Sequence, residues 1–130
     1  MAPIRLKSVP TLRIGDVGIA QQFYCEFLGF TLDWQHYYAE GAPVYMQVAR
    51  DGMVLHLSEN ERFKEQVIVF VETQGIDQLR EELVAKAGRW TIPAVTATPW
   101  HTRQMEIEDP FGNLLRFNEV VEPPPKESNR

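Results

Sequence analysis

The chain passes twice through one order of elements within 130 residues, and that repetition limits the fold more than any other feature. In the first cycle Val9-Pro10-Thr11-Leu12-Arg13-Ile14 alternates apolar and polar residues and reads as a strand that starts near an edge, because proline cannot donate to a ladder. Asp16 is a plausible N-cap, and Ile19, Phe23 and Phe27 recur every four residues before Gly29, which predicts an amphipathic helix with a stop. Short β-prone runs follow over Phe30–Gln35, Tyr45–Ala49 and Met53–Ser58, the last two joined by Arg50-Asp51-Gly52, a strong hairpin signal. The second cycle opens with Gln66-Val67-Ile68-Val69-Phe70-Val71, apolar on both faces. Gly75 then precedes Ile76, Leu79 and Leu83 at helical spacing, and Gly88 ends that helix. Strands are predicted around Val95 and over Arg103–Glu108 and Leu114–Glu119, with Asp109-Pro110-Phe111-Gly112-Asn113 as the last turn.

The cycles rhyme in detail: Val54-Leu55-His56-Leu57 after Asp51-Gly52 corresponds to Leu114-Leu115-Arg116-Phe117 after Gly112-Asn113. The length suits one domain over 1–121, made of two β-α-β-β-β repeats at about 8–60 and 66–120. The tail 122–130, with Pro123-Pro124-Pro125 and then polar residues, is expected to be flexible.

Period-2 alternation sets His56 and Arg116 on one face of their strands and Leu55, Leu57, Leu115 and Phe117 on the other. If each sheet curls with its helix on the convex side, the polar pair faces the concave side. Two such sheets facing each other would enclose a cavity, the usual place for a small-molecule site.

The composition narrows the function classes. A net charge of −5, with thirteen Lys and Arg and no basic block, speaks against nucleic acid as a partner. The opening Met1–Lys7 has no apolar run like that of a signal peptide, and no stretch approaches the roughly 18 apolar residues of a membrane span. Cys25 is the only cysteine, so an intrachain disulfide and a cysteine zinc cluster are both excluded. A cytoplasmic location is expected. Cys25 has no obvious histidine partner in sequence and reads as structural.

Four marks together make the sequence resemble the vicinal oxygen chelate superfamily, which includes glyoxalase I, extradiol dioxygenases and the bleomycin resistance proteins. They are Val9-Pro10-Thr11-Leu12, the helix ending Phe23-Tyr24-Cys25-Glu26-Phe27-Leu28-Gly29-Phe30, Val69-Phe70-Val71 before a helix, and Asp109-Pro110-Phe111-Gly112-Asn113 before the last strand. Pro99-Trp100 upstream of that turn is similar to the bleomycin resistance branch. The resemblance implies an α+β fold of two βαβββ modules, whose curved mixed sheets surround a cleft with helices on the convex faces.

In metal-dependent members of the superfamily, His, Gln or Glu side chains from the first, fourth, fifth and eighth strands hold a divalent ion. The matching positions here are Val9, His56, Gln66 and Arg116. Valine cannot ligate and a guanidinium repels a cation, so the resemblance implies a dismantled metal site and no cofactor. The resistance branch sequesters drugs as homodimers with clefts shared between subunits. Pro10 matches its hinge proline, so a homodimer is implied, with an exchanged N-terminal strand as one arrangement.

Trp34, Tyr37, Tyr38, Tyr45 and Trp100 supply aromatic faces for planar or cationic groups, Trp34 and Trp100 matching aromatic positions of the branch. Asp33 could add negative potential, whereas Glu106 and Glu108 read more simply as solvated strand residues. His56 reads as a hydrogen-bonding cavity residue, and His36 and His101 as loop residues at its rim. Arg103 matches an arginine after Pro-Trp in the branch, and Arg116 completes the expected ligand-binding set; His101-Thr102 stands where the branch commonly has one glycine. The leading expectation is a binding protein without catalytic residues that sequesters a planar or cationic, antibiotic-like ligand. Its rival is a metal-dependent lyase, isomerase, thiol transferase or dioxygenase with a metal site rebuilt from groups such as His56, His101 and Glu106.

Overall fold

The computed structural model describes residues 2–37, 39–62 and 65–121, so Tyr38 and the tail 122–130 lie outside the described residues. The chain divides into two compact units, Met1–Val67 and Ile68–Arg130. Each contains one mixed four-stranded sheet.

In the first unit, β1 (Thr11–Arg13) runs parallel to β4 (Met53–Ser58), which pairs antiparallel with β3 (Val44–Arg50), itself antiparallel to β2 (Thr31–Tyr37). The sheet order is β1-β4-β3-β2. Alternation decides what is buried: Leu12, Val44, Met46, Val48, Leu55 and Leu57 are fully buried, while Thr11, Tyr45, Gln47 and His56 stand on the opposite, open face. β3 and β4 are joined by a two-residue turn at Asp51 (φ 47°) and Gly52 (φ 88°), the left-handed pair that matches the twist of flanking strands.

The helix between β1 and β2 departs from the even spacing read from the sequence. α1 (Val17–Gln21) is capped by Asp16, whose carboxylate accepts from the Ile19 N–H at 2.8 Å, but Gln22–Phe27 continues as a π-helix. Ala20, Phe23, Tyr24, Phe27 and Leu28 form one buried stripe along this helical segment. Arg50 at the end of β3 donates to the Leu28 carbonyl at 2.7 Å and ties the helix end to the sheet.

In the second unit, β5 (Ile68–Glu72) runs parallel to β8 (Leu114–Val120), followed by antiparallel β7 (Thr102–Glu108) and the short β6 (Thr96–Ala97), in the order β5-β8-β7-β6. α2 (Ile76–Ala85) packs on β7 and β8 and buries Ile76 and Leu83, with Met105, Ile107, Leu115 and Phe117 completing the buried face. Gly75 begins the helix at φ 83°, a conformation glycine adopts without strain. Lacking a capping side chain there, the helix has its Ile76 N–H taken by the Glu119 carboxylate at 2.7 Å.

The repeat predicted from sequence is therefore present as two β-α-β-β-β modules, with β4 and β8 in equivalent positions. One local expectation differs. The strand around Val95 shrinks to Thr96–Ala97, between Pro93 and a loop that already turns at Pro99. β5, apolar on both faces in sequence, is an edge strand of its sheet and leaves Ile68 and Phe70 59% and 57% exposed.

Candidate functional site

The open face of the first sheet carries an aromatic and hydrogen-bonded cluster. Trp34 lies nearly parallel to Tyr45, ring centroids 6.0 Å apart and planes inclined by 16°, and His56 meets both rings edge-on at 5.3 and 5.1 Å. Such offset and edge arrangements suit the ring quadrupoles. The indole remains 42% exposed and so presents a π-surface outward.

A polar chain runs beneath the rings across all four strands. Thr11 Oγ1 is 3.2 Å from the Tyr45 hydroxyl, which is 2.7 Å from His56 Nδ1; His56 Nε2 is 2.9 Å from Gln47 Oε1, and Gln47 Nε2 donates to Asp33 Oδ2 at 3.0 Å. The direction of this chain follows from its end. Gln47 gives its amide N–H to the carboxylate, so its Oε1 accepts, and His56 Nε2 carries the proton. In the neutral ring Nδ1 then accepts from Tyr45, which in turn accepts from Thr11. Burial pushes the His56 pKa below the usual histidine value, which favours this neutral form.

A β-bulge places both ends of the cluster. Leu32 pairs with Val48 and Trp34 with Gln47, so Asp33 and Trp34 together oppose one residue, and both reach the open face. Strict alternation would have set them on opposite faces. Beyond the bulge His36 pairs with Tyr45 and belongs to β2 rather than to a loop, and Tyr37 pairs with Val44, on the other face from Trp34, and is 50% exposed.

The second sheet builds a different pair at the equivalent place. The Arg116 Nε donates to Glu106 Oε2, its cross-strand partner, and Phe70 lies in register on the far side of Arg116. Glu106 is thus an ion-pair partner rather than merely solvated; Glu108 is exposed. Arg103 stands apart from this pair. It alternates with Gln104 and shares the helix-covered side with Met105 and Ile107, where its guanidinium pairs with Asp77 in the first turn of α2. That hydrogen bond holds the Asp77 carboxyl below its usual pKa. Trp100 and His101 lie in the loop between β6 and β7, with the indole 57% exposed. Cys25 lies in the π-helix, half-buried, and burial raises its thiol pKa, which leaves it a weak nucleophile.

The positions that the resemblance assigns to a divalent metal do not fit one. Val9 offers no donor, both nitrogens of His56 are engaged by Tyr45 and Gln47, Gln66 is exposed outside any strand, and Arg116 is a paired cation. Among the described residues no group of three or more His, Cys, Asp or Glu side chains is placed to hold a metal ion. Among the described residues no helix is long and apolar enough to cross a membrane.

Sequence reading missed Gln47 and Thr11, although the two-residue turn at Asp51-Gly52 sets Gln47 opposite His56. It also missed Thr98, Thr102 and Asn118, which are joined to one another by hydrogen bonds next to Trp100.

Residues 4–123 match the family model described as "Glyoxalase superfamily protein". No curated protein is significantly similar to the chain in sequence. Among solved structures the chain is similar to a bleomycin-binding protein complexed with bleomycin, at 18% identity over 88% of this chain and 98% of that one, with a TM-score of 0.71. It is similar to TnmS3, an antibiotic-binding protein from Streptomyces sp. CB03234, at 22% identity over 92% and 100%, with a TM-score of 0.70. It is also similar to a glyoxalase-related enzyme from Clostridium phytofermentans, at 21% identity over 92% and 98%, with a TM-score of 0.71. These likenesses establish the α+β vicinal oxygen chelate fold, and with the family match over nearly the whole length the chain belongs to the glyoxalase superfamily.

Proposed function

We propose that this protein binds and sequesters a planar or cationic, antibiotic-like small molecule, without a metal and without turning it over. The observation that carries this reading is the outward-facing Trp34 ring, supported from beneath by Tyr45 and His56 and bordered by Asp33. A rigid aromatic surface beside a carboxylate gives stacking area and attracts positive charge, the two terms a sequestering site needs for slow release and fast capture. Trp100 and Arg116 are proposed as ligand contacts within the second module, Arg116 offering the guanidinium N–H groups left over from its pairing with Glu106, whereas Tyr37 stands on the other face of its sheet from Trp34 and is not part of that surface. The similar folds of a bleomycin-binding protein and of TnmS3 support the ligand class. A cytoplasmic homodimer, with or without an exchanged β1, and a single domain spanning both modules belong to the same proposal.

The test is calorimetric titration of chelator-treated protein with metal-free bleomycin, together with elemental analysis of the untreated protein. About one drug bound per subunit is expected, weakened roughly tenfold or more by Trp34→Ala. No heat from the drug, with a full equivalent of divalent metal in the untreated protein, would overturn the proposal in favour of a metal-dependent enzyme.

A further inference from the structure

His101 is one of two non-glycine residues with positive φ among the described residues, and the two differ in what holds them there. Asp51 sits in a two-residue hairpin turn that requires such a backbone. His101, at φ 64°, lies in the five-residue loop Thr98–Thr102, where a histidine in the left-handed region costs free energy unless its surroundings enforce it.

Those surroundings are a closed set of hydrogen bonds. The Thr98 N–H donates to the Thr102 carbonyl at 2.9 Å, and the Thr102 N–H donates to Thr98 Oγ1 at 3.1 Å. Thr102 Oγ1 donates to Asn118 Oδ1 at 2.8 Å, so in its 2.7 Å contact with Thr98 Oγ1 it must accept. Outside the loop, the His101 carbonyl accepts from the Val121 N–H at 3.3 Å. Thr102 and Asn118 are 8% and 3% exposed, so water competes little for these bonds. Between them, the loop projects Trp100 with more than half its surface open. A large apolar ring held outward on a tied and strained loop is ordered in advance of any partner, which lowers the entropy lost on binding.

We propose that Thr98, Thr102 and Asn118 are positioning residues that fix the strained loop at His101 and thereby present Trp100 as a preformed stacking surface for a flat aromatic or heteroaromatic ligand. The ligand class rests on the binding function proposed above; the preorganisation of the loop does not. Thr102 lies on the same side of β7 as Gln104 and Glu106, so the loop is anchored to the face that carries Arg116.

The experiment uses the full chain labelled with 5-fluorotryptophan, the Trp100 resonance being assigned by Trp100→Phe. In the unliganded protein that resonance is expected well away from its position in the unfolded chain. Thr102→Val should move it toward that position, and Thr102→Ser, which keeps the hydroxyl, should restore it. Thr98→Val provides the same reading while leaving the buried Thr102–Asn118 bond in place, should Thr102→Val fold poorly. With metal-free bleomycin as the probe, Trp100→Ala should weaken binding roughly tenfold or more and Thr102→Val about three- to tenfold. Thr102→Val should add nothing in the Trp100→Ala background. A Trp100 resonance indifferent to both threonine substitutions, or binding losses that add in full, would overturn the inference. Failure of the native protein to bind bleomycin would sink that drug as the ligand, and the fluorine signal would still decide whether the loop is preformed.

Discussion

On the fourth strand of the first module His56 faces Gln47 across the ladder, and on the equivalent strand of the second Arg116 faces Glu106. The parallel neighbour of His56 is Thr11, and that of Arg116 is Phe70. The backbone is reproduced down to the bond that closes each parallel edge, Ile14 N–H to Ser58 carbonyl in one and Thr73 N–H to Asn118 carbonyl in the other. The side chains are not reproduced. The first module makes a neutral relay that orients one tautomer under an aromatic bed, while the second makes an ion pair whose cation keeps unused donors beside an exposed phenylalanine. The fold thus supplies two like-placed pairs of positions, and residue chemistry decides that one stacks and the other pairs charges.

The hairpin turns offer the most forceful way to test how far the modules have diverged. Asp109 is 3% exposed, and its carboxylate accepts from the Phe111 and Asn113 N–H groups and from the Asn113 side-chain amide, at 2.8, 2.8 and 2.9 Å. Asp51 at the equivalent turn is exposed and contacts only the neighbouring Arg50 among the described side chains. Asp109→Ala leaves buried donors unpaired and is expected to cost about 2–4 kcal/mol, whereas Asp51→Ala, limited to backbone strain, should cost about 1 kcal/mol. Urea denaturation of both variants measures the difference. Equal losses would mean that the two turns are energetically interchangeable after all.

The helix starts sharpen the comparison at a smaller scale. α1 is capped locally by Asp16, while α2 borrows Glu119 from the end of β8, some forty residues away. Glu119→Ala strips an acceptor from a buried residue and is expected to cost about 1–2 kcal/mol. Asp16→Ala should cost about 1 kcal/mol, the usual value of a lost N-cap. Because the second cap joins helix to sheet, Glu119→Ala should also speed amide exchange along β8, while Asp16→Ala should leave β4 unchanged.

Much of this frame was legible in the chain, because alternation and turn chemistry are local. The opposition of His56 to Leu55 and Leu57, and of Arg116 to Leu115 and Phe117, follows from a period of two. The convergence of Asp33 and Trp34 on Gln47 was not legible, since a bulge breaks that period and no local residue signals it. The π-turn was hidden for a similar reason: Phe23, Tyr24, Phe27 and Leu28 fit the buried face of an ordinary α-helix, and nothing in their spacing signals a wider turn. Arg103 was misleading because its place beside Trp100 in sequence says nothing of which face its strand gives it. One residue of alternation sends it to Asp77 and the helix.

Proton uptake gives the smallest expected effect and the finest distinction between the modules. In the first, burial lowers the His56 pKa, so the unfolded chain, titrating near about 6.5, takes up a proton before the folded one does. Stability from this site is therefore complete above about pH 6.5 and declines as the pH falls toward the folded value, then levels off. A protonated ring would also make Nδ1 a donor and force Tyr45 to reverse its hydrogen bond. The second module has no histidine in its pair, which joins the Arg116 guanidinium to the Glu106 carboxylate. Its own sensitive carboxyl, Asp77, is held low by Arg103, so that contribution is present above the unfolded value of about 3.8 and is lost only in stronger acid. Amide exchange, corrected for intrinsic rates, should show β3 and β4 losing protection between about pH 7 and about pH 5 while β7 and β8 keep theirs. His56→Gln should abolish the difference. If both sheets weaken together, or if His56→Gln leaves the profile as it was, the relay does not set the acid response of the first module, and the contrast between the two pairs is one of geometry alone.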